Sequence, residues 1–235
     1  MLCRYAMDVK SLYITDNDFE QKVKELKVML RLRMNGETSA QMKRRNLHYT
    51  INYGVSLPHV KEIASRMTFT SEECRKLWLM NIRETMLLAC MQMPADSATT
   101  DEMCAWAEKI STPDMAEQAS FFLFGRLDNA SQIASRVAEG ASNYALATAC
   151  FTVGRALQLG KTPAVDVVRR LFEVLMSRRE YNGAELRGMS LLLRQCVRKA
   201  EVVGVDVDAV VGHLRQFDLP EVQSVVYEVE MEREV

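Results

Sequence analysis

The sequence predicts an all-α chain wound as an α-α superhelix, a repeat solenoid of about 11–12 helices. Three observations predict it. Only ten glycines and five prolines interrupt 235 residues, and most fall between periodic segments. Apolar residues recur at spacings of three and four, the helical period, and no β-rich block breaks the pattern. Capped segments of about 10 to 18 residues follow one another across short loops, which suits stacked antiparallel helix pairs. Degenerate HEAT- or armadillo-like repeats fit this order; a compact bundle is the alternative. Residues 1–235 read as one domain, with an N-terminal arm at 1–15 and an acidic C-terminal tail at 220–235.

Asp16 to Met34 is the first expected helix. Phe19, Val23, Leu26, Met29, Leu30 and Arg33 keep the 3–4 spacing, and Asn35-Gly36 stops it. A second, basic helix is expected from Ala40 to Tyr53, ended by Gly54. Pro58 opens a third at a first-turn position, running to Met67. Ser71 to Met80 follows, with Glu72 and Glu73 placed to suit the helix dipole. Asn81 and Glu84 form an N-x-x-E capping pattern for a helix through Met93, and Pro94 ends it. Thr99 and Glu102 repeat the pattern before a helix through Ile110. Thr112 caps a helix through Leu127, with Pro113 at its first position. Ser131 to Glu139 and Asn143 to Leu159 end at Gly140 and Gly160. Thr162-Pro163 opens the next helix as Thr112-Pro113 did. Gly183 to Ala200 and Asp206 to Phe217 complete the set, and Glu221 to Val235 reads as a strand-like or frayed tail.

Composition excludes several functions. The chain is 48% hydrophobic and 26% charged, the balance of a soluble globular protein. No apolar run approaches the roughly 20 residues of a membrane span, and Met1 to Lys10 lacks the apolar core of a signal peptide. A cytoplasmic, monomeric protein is expected. The six cysteines include no C-x-x-C and the three histidines are scattered, so neither a zinc site nor another metal or cofactor is expected. No nucleophile elbow, phosphate loop or H-E-x-x-H motif supports a hydrolase or kinase. The net charge of −1 argues against a uniformly basic nucleic-acid binder, yet charge is uneven. Lys161 to Lys199 carries nine basic and four acidic residues, whereas Glu201 to Val235 carries two basic and nine acidic. A second basic block is Lys43-Arg44-Arg45. Such runs bind phosphate when they share one face and are otherwise solvated helix surface.

Several segments carry a family likeness. Tyr53-Gly54-Val55-Ser56-Leu57-Pro58 matches an F/Y-G-V-x-x-P turn, and Leu77-Trp78 with Glu84, Leu88 and Ala89 matches a later L-W…E-x-x…L-A segment. With Trp106 to Gln118, these make roughly residues 20–200 similar to the DNA alkylation repair (AlkD-like) family of HEAT-like repeat proteins. The resemblance implies a cofactor-independent DNA glycosylase that removes cationic N3- or N7-alkylated purines from duplex DNA held on a concave basic face. It also implies two tryptophans and an aspartate against the damaged nucleotide, and an arginine on the backbone. Here Pro113 and Leu191 stand at the tryptophan positions, Glu117 at the aspartate position, and no arginine lies near Tyr144-Ala145-Leu146. Arg194 is kept.

Glu117 is therefore the candidate catalytic group, a carboxylate that would stabilise positive charge developing on the sugar. Asp114, Tyr144, Arg187, Arg194, Arg198, Lys43, Arg44 and Arg45 are the candidate lesion- or DNA-binding residues. Each has a plain alternative. Asp114 suits the first-turn dipole, Glu117 suits solvent, and Trp78 and Trp106 sit among apolar neighbours as core residues do. Two functions stay open: a DNA-binding alkylation-repair protein, or a non-catalytic scaffold whose groove holds a protein partner or another ligand.

Overall fold

The computed structural model of the chain describes residues 17–45 and 47–234. The expected N-terminal arm, 1–15, and Cys3 lie outside these residues. Among the described residues the helices are α1 (Asn17–Leu32), α2 (Gly36–Arg44), α3 (Leu57–Arg66), α4 (Ser71–Leu79), α5 (Arg83–Gln92), α6 (Thr100–Glu108), α7 (Pro113–Phe122), α8 (Ala130–Ala138), α9 (Ala145–Gln158), α10 (Val165–Ser177), α11 (Gly183–Arg198), the single turn α12 (Ala200–Val203), α13 (Val207–Leu214) and α14 (Pro220–Arg233). Their extended residues pair only in an isolated bridge, Ile51 with Ile82.

The helices alternate between two layers. In one, α3, α5, α7, α9, α11 and α14 lie side by side. In the other, α6, α8, α10 and α13 follow in turn, while α4 packs on α5. This is the expected all-α solenoid. Its buried apolar residues form one large cluster in each half and a small one between α9 and α11, as each pair covers the apolar face of the next. In the first half Trp78 and Trp106 stack with centroids 4.4 Å apart and planes 7° from parallel. Both are buried, so the core reading of the two tryptophans holds. The second half is filled by Val168, Leu171, Leu175, Met189, Leu192 and Val210.

Helices α9 and α11 approach each other closely. A side chain at Gly188 would put its Cβ 2.9 Å from the Ala147 carbonyl oxygen and 3.2 Å from Cys150 Cβ; one at Gly154 would meet Leu191 Cγ at 2.8 Å. Glycine at both crossings lets the helices meet backbone to backbone.

Several boundaries differ from expectation, each for a long-range reason. The second helix forms and ends earlier than Ala40 to Tyr53. Asn35 caps α2, its Oδ1 accepting the Thr38 N–H at 3.0 Å. Residues 47–56 then cross the N-terminal ends of α5 and α7, where the Ile51 carbonyl accepts the Arg83 N–H at 3.1 Å. Gly54 turns this segment at φ 68°; a Cβ there would lie 2.2 Å from the Asn35 carbonyl oxygen. Asn81 does not cap α5. It sits at φ 53° and donates its amide to Thr50 Oγ1 at 2.8 Å, and Ile82 takes the cap position. Thr112 does cap α7, but that helix stops at Phe122, before a 3-10 turn at Phe124–Arg126. Thr162-Pro163 stays in the loop before α10, whose cap is Ala164; its N–H bonds Ser131 Oγ on α8 at 3.2 Å.

The largest correction is the C-terminal tail. Residues 220–233 form a full helix rather than a strand-like or frayed segment. Val222, Val225, Val226 and Val229 follow the 3–4 spacing and are buried against the stack. Each contributes on the order of 1.5 kcal/mol through burial, enough to override the weak helix propensity of valine.

Candidate functional site

Helix α7 begins where Thr112 Oγ1 accepts the Met115 N–H at 3.2 Å, with Pro113 in the first turn. The helical period then sets Asp114 and Glu117 one turn apart, and Phe121 one turn beyond Glu117. The two carboxylates have different surroundings.

Asp114 is locked into the edge of the stack. Its Oδ2 accepts from Arg83 Nε and from Tyr49 Oη, both at 2.8 Å, and Thr112 Oγ1 donates to Tyr49 Oη at 2.7 Å. Burial, then the Asp114 charge, raise the Tyr49 phenol above its ordinary value, so it stays a donor. Burial opposes the Arg83 charge, but Asp114 outweighs it and the guanidinium is held charged. Asp114 is thus the hub of a structural network joining α5, α7 and the 47–56 segment.

Glu117 opens onto a cleft. Its side chain is 35% exposed, and its Oε2 lies 3.6 Å from Arg187 Nε of α11. The cleft encloses about 540 Å³ between α7, α9, α11 and α14. Phe121, Phe151, Leu191 and Val225 contribute its apolar surface; Glu117, Arg187, Ser190, Arg194, Glu221 and Glu228 its polar groups. Arg155 of α9 lies over the Phe121 ring at 5.1 Å, and Lys61 of α3 over Phe122 at 5.3 Å.

Arg187, Leu191, Arg194 and Arg198 form one stripe along α11, at helical spacings of four, three and four. Helix α14 answers that stripe with acids. Arg194 Nε donates to Glu232 Oε2 at 2.9 Å, and Arg198 Nη2 donates to the same oxygen at 3.0 Å. Arg198 Nε also bonds Glu232 Oε1, and Ser190 Oγ donates to Glu228 Oε2. Arg194 Nη1 stands 4.0 Å from Glu228 Oε2. The Arg198 and Arg194 bonds hold the Glu232 carboxyl below its ordinary value.

The structure therefore brings Glu117, Arg187 and Arg194 together and places Arg198 beside them, at the far end of the stripe. It leaves the other candidates elsewhere. Lys43, Arg44 and Arg45 are exposed at the end of α2, with Arg44 paired to Glu37 at 2.8 Å. Tyr144 immediately precedes α9, without a side-chain cap bond, and borders a separate cavity of about 530 Å³, beside Asn143, Asn182 and Glu185. Arg169 and Arg170 of α10 lie in the other layer and pair with Asp166 and Glu173 three residues away, as a solvated helix face does. Among the described residues no group of three His, Cys, Asp or Glu side chains is placed to hold a metal ion, and no helix is long and apolar enough to cross a membrane.

Residues 26–150, more than half of the chain, match the sequence model of a family described as DNA alkylation repair enzyme. The chain belongs to that family. A solved structure from a family of proteins related to the HEAT-like repeat DNA glycosylases, with affinity for branched DNA structures, superposes with a TM-score of 0.71. The two share 12% identity, and the match covers 92% of this chain and 95% of that one. Likeness at that identity establishes the fold. No curated protein matches the sequence.

Within this DNA alkylation repair fold, Phe121, Phe151, Ser190, Glu228 and Glu232 were not singled out from the sequence. Phe121 carried a signal, since it stands four residues after Glu117 and shares its helix face. Glu228 and Glu232 carried one only once residues 220–233 are read as helical, when their spacing of four turns both toward α11.

Proposed function

We propose that this DNA alkylation repair family member binds DNA across the cleft between α7, α11 and α14 and sets Glu117 against a damaged nucleotide. One observation carries the reading. Glu117 and Leu191, at positions matched to the family's lesion contacts, line a single cleft with Arg194, the arginine kept from the same family segment as Leu191, although they lie on two helices. The affinity for branched DNA described for the structural relative supports a DNA ligand here as well.

The chemistry follows from those side chains. Breaking the bond between deoxyribose and a cationic alkylpurine builds positive charge on the sugar, and a carboxylate fixed nearby stabilises it. Glu117 supplies that charge. Leu191 and the rings of Phe121 and Phe151 give an apolar wall in place of the missing tryptophans. DNA lying over the cleft would exclude water and strengthen the Glu117 field. Arg187 would turn from Glu117 to a phosphate, for which its planar fork is suited.

The second reading, a non-catalytic scaffold, rests on the neutralisation of Arg194 and Arg198 by Glu232. Base release separates the two. Wild type should free N3- or N7-methylpurine from methylated duplex DNA faster than a no-protein control, and Glu117→Gln should slow release on the order of a hundredfold. Release by wild type at the control rate would leave the scaffold reading.

A further inference from the structure

We propose that Glu228 and Glu232 of α14 are built-in counter-ions of the α11 arginine stripe, and that they set how tightly and how salt-dependently the cleft takes a DNA backbone. This rests on the DNA-binding reading above and adds its control.

The geometry supports a charge role. Three guanidiniums on one stripe, Arg187, Arg194 and Arg198, face three carboxylates, Glu117, Glu228 and Glu232. The stripe and its three carboxylates together thus carry no net charge in the free protein. The carboxylates do not block the arginines. Glu232 is 5% exposed and lies beneath them, whereas Arg194 and Arg198 keep 38% and 50% of their side chains exposed. Their outer edges remain open to a phosphate, but their charge is already answered. Arg198 grips both Glu232 oxygens, the two-point contact a guanidinium also makes with phosphate. An arginine whose charge is already answered neutralises a phosphate less fully, so fewer of the cations condensed on DNA are released on binding and the salt dependence is shallower.

A purely structural role predicts something different. The buried valines Val222, Val225, Val226 and Val229 already fix α14 to the stack. If the acids only reinforced that attachment, removing their charge would lower stability and leave DNA affinity where it was.

The test is a binding titration of a fluorescent duplex of about two helical turns across a salt series, with melting temperatures measured alongside. The proteins are wild type, Glu228→Gln/Glu232→Gln and Glu228→Gln alone. Glutamine keeps the shape and one accepting oxygen but turns the other into a donor, and Glu228 is 45% exposed, so the single variant guards against misfolding of the double. The proposal expects the double variant to bind about fivefold or more tighter, with a slope of log affinity against log salt steeper by about one to two. The single variant should fall between it and wild type. Folded variants with wild-type affinity and slope would overturn the proposal while leaving DNA binding intact. Absence of duplex binding by every protein would overturn both.

Discussion

Glu84 shows how one buried carboxylate joins distant parts of the chain. It is fully buried, with Oε1 accepting the Val55 N–H at 3.1 Å and Oε2 the Tyr53 N–H at 3.2 Å. Two segments that carry the family likeness, the Tyr53–Pro58 turn and the α5 face, are therefore one structural unit. Glu84→Ala should cost about 3 kcal/mol, since it strands the buried Val55 donor and the half-buried Tyr53 donor and leaves Arg83 with Asp114 as its carboxylate partner. Urea unfolding measures this; a loss below about 1 kcal/mol would show that water replaces the carboxylate at no great cost. The sequence put Glu84 in a local cap with Asn81. That pattern is sound chemistry, but the real partners lie about thirty residues upstream, and local spacing cannot register them. Glu117 was legible for the opposite reason: its setting on α7 follows from the cap and the helical period alone.

Among the elements, the helix starts at Thr99 and Thr112-Pro113 were legible, since each threonine bonds the first turn it precedes. The Asn35 cap of α2 and the Thr70–Glu73 box of α4 were not read, although both are equally local. Ends set by neighbours were not legible. The second helix yielded to bonds with α5, and α14 was hidden because its valines favour strands in isolation. The α9–α11 crossing passes two glycines, Gly154 and Gly188, and local spacing does not show which partner either one meets. Gly188→Val should destabilise the fold by about 2–3 kcal/mol through overpacking against the Ala147 carbonyl. Its unfolding midpoint would fall; an unchanged midpoint would mean that α11 can shift without cost and that the close approach is not required.

For the whole molecule, the solenoid was readable because short capped loops leave consecutive helices little choice but to stack as antiparallel pairs. Which charges meet across the stack was not readable. Arg169 and Arg187 look alike in sequence, yet one pairs within α10 and the other faces Glu117 across the cleft. That difference is also what the functional account stands on. The most direct test is equilibrium binding of duplex DNA over a salt series by wild type, Arg187→Ala and Arg169→Ala. The account predicts that affinity falls linearly with log salt, that Arg187→Ala weakens binding and flattens the slope by about one, and that Arg169→Ala follows wild type. Equal losses in the two variants, or binding indifferent to salt, would contradict a DNA site at this cleft.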